Sequence, residues 1–75
     1  MSDENSSIKK LLDEMINHQE NKVLKIARQI IPHLTPEDIR NPQDFQELYN
    51  NINFNYEDGI LTGYLSIKSA INKLN

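Results

Sequence analysis

Few side chains in this 75-residue chain are of a type and spacing that could do chemistry. His18 and His33 do not stand at a metal-ligand separation, and neither belongs to a helical His-x-x-x-His pair, so no structural metal is expected. Glu14 lies one turn before His18, which suits a surface ion pair. Asn51, Asn53, Asn55 and Glu57 offer the alternating oxygens of a calcium loop. The match fails where that loop is most demanding: its sixth position is Tyr56 where the sharp turn needs glycine, and its twelfth is Thr62 where a bidentate Glu belongs. These asparagines read instead as caps and turn formers. Ser66 and Ser69 have no histidine near them in sequence to serve as a base. The adjacent carboxylates Glu57 and Asp58 read as partners of a helix dipole. The two glycines do not spell a phosphate-binding Gly-x-Gly-x-x-Gly turn. A chain this short also struggles to enclose a ligand pocket. The expectation is a protein that is not an enzyme, with no cofactor and no metal.

The serines also decide a resemblance. In size, acidity and helix content the chain resembles acyl carrier proteins, which attach their prosthetic group to Ser in an Asp-Ser-Leu motif at a helix start. Here Leu65 precedes Ser66 and Lys68 precedes Ser69, so the carrier activity does not carry over.

Contact chemistry remains. Net charge is −3, and its distribution is uneven. Residues 35 to 58 hold Glu37, Asp38, Asp44, Glu47, Glu57 and Asp58 against Arg40 alone. This acidic belt argues against binding nucleic acid or an anionic membrane, both of which call for a basic footprint. The aromatic residues Phe45, Tyr49, Phe54, Tyr56 and Tyr64 overlap the belt. The phenylalanines suit a core, with the tyrosines at its edge. The competing expectation is an acidic, tyrosine-rich partner surface made of Glu47, Tyr49, Tyr56, Glu57, Asp58 and Tyr64, since tyrosines favour interfaces.

These residues need elements to position them. Residues 1–6 carry no pattern and read as a disordered tail, leaving 7–75 as one helical domain. From Ile8 to Ile31 apolar residues recur at helical spacing through Leu11, Leu12, Met15, Ile16, Val23, Ile26, Ala27 and Ile30. A polar passage from Asn17 to Lys22 interrupts them, but the stripe keeps its phase through Gln19, which favours one helix over two. Pro32 closes it. Thr35-Pro36-Glu37-Asp38 and Asn41-Pro42-Gln43-Asp44 each combine a capping side chain, Pro at the first helical position and an acid at the third. They predict a one-turn helix and then a short helix through Phe45, Leu48 and Tyr49. Asn55 is read as the N-cap of the last helix, with Asp58 reaching back as in a capping box. Tyr56, Ile60, Tyr64, Ile67, Ile71 and Leu74 fall on one side of that helix, beside a small-residue stripe of Gly59, Gly63, Ser66 and Ala70. Glycines in a helix interior cost about 1 kcal/mol each, so a second backbone is expected to pack closely at Gly59, Gly63 and Ala70.

The fold class expected is all-α: a small bundle in which a long N-terminal helix packs on the C-terminal helix, with one or two short helices between. Leu24, Ile31, Ile16, Leu61 and Leu65 lie off the main faces, more than so small a bundle covers, so a homodimer is expected. The function expected is a protein-interaction module that binds a protein partner and associates with itself. An acidic inhibitor or immunity-type protein that covers a basic partner is the other reading. Absent cysteine and absent signal-peptide pattern fit the cytoplasm, and no apolar run approaches membrane-spanning length.

Overall fold

A computed structural model describes residues 3–74. The chain is all-helical in the order expected. A 28-residue helix α1 (Asp3–Ile30) leads through two 3₁₀ turns (Asp38–Arg40 and Pro42–Asp44) and a one-turn helix α2 (Gln46–Tyr49) into a 22-residue helix α3 (Ile52–Lys73). No strand occurs among the described residues. The first two residues of the expected tail lie outside the described residues, whereas residues 3–6 form the first turn of α1.

α1 is continuous through its polar passage because burial keeps its beat there. Leu12, Ile16, Gln19, Val23 and Ala27 are buried at steps of four and three, the spacing of one helical stripe. The chain turns after Ile30. Arg28 Nε donates to the Leu34 carbonyl at 2.8 Å, holding the turn against the helix end and seating Leu34 in the core. The Thr35 motif folds as its residues dictate: Asp38 N–H donates to Thr35 Oγ1 at 3.2 Å and Thr35 N–H to Asp38 Oδ2 at 3.0 Å, a reciprocal capping box. The Asn41 motif delivers less. Asn41 makes no capping bond, Phe45 is extended (φ −126°, ψ 96°), and the expected short helix breaks into a 3₁₀ turn and α2. Phe45 packs against the core from that extended position.

The last helix starts four residues earlier than its sequence suggests. Asn51, not Asn55, is the N-cap, accepting from Phe54 N–H at 2.8 Å. Asn55 Nδ2 instead donates to the Tyr49 carbonyl at 2.9 Å, and Asp58 sits inside the helix. The physical reason is Phe54. An early start puts it seven residues before Leu61 on one stripe, and both are buried. That stripe rotates the buried face by close to one residue's step of about 100° from the expected ridge. Ile60, Tyr64 and Ile71 are therefore half-buried, while Tyr56, Ile67 and Leu74 are exposed.

α1 and α3 run antiparallel, since Gln19 meets Glu57 while the earlier Asp13 meets the later Lys68. The short elements cover only one end of this pair. Leu34, Ile39 and Leu48 join Val23, Ala27 and Phe54 there as a knob with a closed core. Beyond the knob the two helices continue as an unsupported arm, giving an elongated body of 44 × 19 × 17 Å.

Candidate functional site

Gln19 is the polar residue drawn into the seam of the two long helices. It is buried, and its Nε2 donates to both the backbone carbonyl of Glu57 at 2.8 Å and Glu57 Oε1 at 2.9 Å. Lys22 Nζ stands 3.4 Å from Glu57 Oε2. The Gln19 hydrogen bond, helped by the Lys22 charge and opposed by burial, lowers the Glu57 pKa below its ordinary 4.5. Asp58, one step round the helix and without such partners, is raised above its ordinary 3.8 by burial. The two carboxylates are thus pushed apart by their surroundings, but neither faces a nucleophile or a histidine. Ser66 Oγ donates to its own helix at the Thr62 carbonyl, Glu14 makes no ion pair with His18, and no cluster of three metal-ligating side chains occurs among the described residues.

The expected tyrosine-acid surface is not brought together. Glu57 is engaged with Gln19 and Lys22, and Asp58 lies on the other flank of α3. Tyr64 packs against the core, and Tyr49, Tyr56 and Glu47 are exposed on two different elements. Asp38 is committed to Thr35, so the belt keeps Glu37, Asp44 and Glu47 as its exposed carboxylates. Nor do the small residues receive a backbone within the chain. A Cβ added at Gly59 or Gly63 meets no atom within 4 Å, and Ala70 is exposed. Their stripe faces outward because the Phe54–Leu61 stripe takes the inner face. The residues expected to drive self-association change place too: Ile16 and Leu61 are buried, Leu24 and Ile31 pack against the core, and Leu65 alone is exposed.

An apolar flank along the arm replaces them. Ile8, Leu11 and Met15 of α1 are 52%, 58% and 40% exposed, and Tyr56, Ile67 and Leu74 of α3 are 68%, 50% and 83% exposed. Leu11, Glu14, Met15, His18, Gln19 and Tyr64 line one shallow depression, which joins the two helices into a single surface with a polar edge at Glu14 and His18. Ile8, Leu11 and Met15 read in sequence as part of the core stripe of α1. Among the described residues no third helix covers the arm, which leaves them in water. On the opposite flank, a cavity of about 270 Å³ between Leu24, Pro36, Ile39, Arg40, Leu61 and Leu65 falls short of the ~300–1,000 Å³ of small-molecule sites. No helix of the described residues is long and apolar enough to cross a membrane. Compared with known protein families, curated proteins and solved structures, the chain matches none, and its apolar flank has to be read from its own residues.

Proposed function

We propose that this chain is a non-enzymatic, cytoplasmic protein-interaction module whose contact surface is the apolar flank of the arm, centred on Leu11, Met15 and Ile67. The exposure of that flank carries the reading. Soluble monomers seldom leave so large a contiguous apolar surface in water, and such surfaces mark protein contacts. The lack of cysteine suits a reducing compartment. The other reading, an acidic inhibitor of a basic partner, rests on Glu37, Asp44 and Glu47 now that Glu57 and Asp38 are engaged inside the fold.

Capture experiments with immobilised wild type, Ile67→Glu and Glu47→Lys separate the two. A partner held by wild type and Glu47→Lys but lost by Ile67→Glu supports the flank. A partner lost by Glu47→Lys, with an association rate that drops steeply between low and physiological salt, supports the acidic reading instead. Retention by all three proteins overturns both surfaces.

A further inference from the structure

We infer that the occupant of this flank is a second copy of the chain, so that two arms close into a four-helix bundle. This rests on the reading of the flank as a contact surface and adds the identity of what covers it. Three observations carry it. The first is area. With roughly 200 Å² for a large side chain, the exposed fractions of Ile8, Leu11, Met15, Tyr56, Ile67 and Leu74 leave about 700 Å² of side-chain surface in water. That exceeds the ~300–600 Å² of the largest patch on a typical monomer and approaches the ~800 Å² each partner gives to a standard interface.

The second observation is charge. The chain is acidic overall, with net charge −3, so a second copy is repelled by any acidic surface. The flank holds one exposed acid, Glu14, in the depression it shares with Leu11 and Met15, while Glu57, the carboxylate beside it, is hydrogen-bonded to Gln19 and paired with Lys22. Of the other exposed acids among the described residues, Glu37, Asp44 and Glu47 belong to the knob, away from the arm, and Asp13 is paired with Lys68. The flank therefore carries little net charge, and a twofold contact on it sets few like charges against each other. It offers a strongly basic partner one acid, Glu14, and a strongly acidic partner only the Lys22 already paired with Glu57.

The third is architecture. Two packed helices bury one stripe each, and a helical layer reaches a closed core when further helices cover the remaining apolar sides. At the knob the short elements do this. Along the arm no segment among the described residues does, and a second arm supplies the two helices needed. The outward Gly59, Gly63 and Ala70 adjoin Tyr56 and Ile67, so a helix arriving there meets a surface with no long side chains to hold it off.

Sedimentation of the purified chain across a concentration series tests this, with wild type, Leu11→Glu, Ile67→Glu and Leu65→Glu run in parallel. Wild type is expected to form a species of twice the 8.7 kDa chain mass. Leu11→Glu and Ile67→Glu each place a charge in the closed interface, and affinity should fall on the order of a hundredfold. Both side chains are exposed in the monomer, so the helical circular dichroism of these variants should match wild type. Leu65→Glu, on the opposite flank, should dimerise as wild type does. A wild type that stays monomeric through high micromolar concentration overturns self-association, while the capture comparison still judges the flank as a surface for another protein. A dimer that survives Leu11→Glu and Ile67→Glu, or one that Leu65→Glu abolishes, places the interface elsewhere and equally overturns the proposal.

Discussion

A glutamine in a helix seam brings two N–H donors out of water, and both need acceptors there. Gln19 finds them on one residue, the carbonyl and carboxylate of Glu57. Gln19→Ala removes the buried side chain's packing and both hydrogen bonds to Glu57, whose carbonyl keeps its donor within α3, and should cost about 1–3 kcal/mol in urea unfolding. It should also let the Glu57 pKa climb, since that hydrogen bond is the main cause of its lowering. The neighbouring carboxylates act on stability with opposite signs. Glu57, lowered on folding, adds stability that is present above its unfolded value near 4.5 and is lost as pH falls through the folded value. Asp58, raised on folding, favours the fold below its unfolded value near 3.8 and loses that contribution as pH rises through the folded value. Asp58→Asn is therefore expected to be more stable than wild type at neutral pH, with the gap closing as pH drops toward 3.8. Urea unfolding of both proteins at a series of pH values reads it directly. A constant gap would remove burial of the charge as its cause.

The two long helices differ in how much of them could be read without coordinates. α1 was legible nearly whole, because its stripe holds phase through Gln19 and Pro32 bounds it. α3 was legible in kind but not in phase or start. Asn51 and Asn55 are equally good caps by residue type, and the choice between them was made by Phe54, whose burial is a tertiary effect. The same rotation put Gly59 and Gly63 in open space and left the apolar flank uncovered, neither of which local spacing encodes. Three substitutions test this assignment. Asn51→Ala should cost about 1 kcal/mol through loss of the cap, and more than Asn55→Ala, whose amide makes one exposed bond to Tyr49. Gly63→Ala should raise stability by about 1 kcal/mol, because the added methyl meets nothing and the helix loses a flexible residue. Thermal melts at concentrations too low for association rank all four proteins. A fall in the midpoint for Gly63→Ala would mean that the stripe is packed even in the monomer.

The whole molecule is a closed knob with an open arm, and its stability should reflect that division. If two arms close on each other, the folded state gains from mass action, and the melting temperature of wild type should rise with protein concentration. That of Ile67→Glu should not. The surface pair Lys68–Asp13, at 2.9 Å with both side chains about half exposed, sits on the arm and contributes little by comparison. Gln19 matters to the arm in a different way. Apolar stripes that repeat every three or four residues look alike to one another, and α1 slid along α3 by two turns would still lay Leu, Ile and Val against Leu, Ile and Tyr. In the slipped hairpin, however, the amide of Gln19 no longer finds Glu57 and is stranded in an apolar seam, a penalty of about 1–3 kcal/mol that packing alone would not impose. One polar side chain thus works as a vernier mark, giving two otherwise slippery helices a single longitudinal setting.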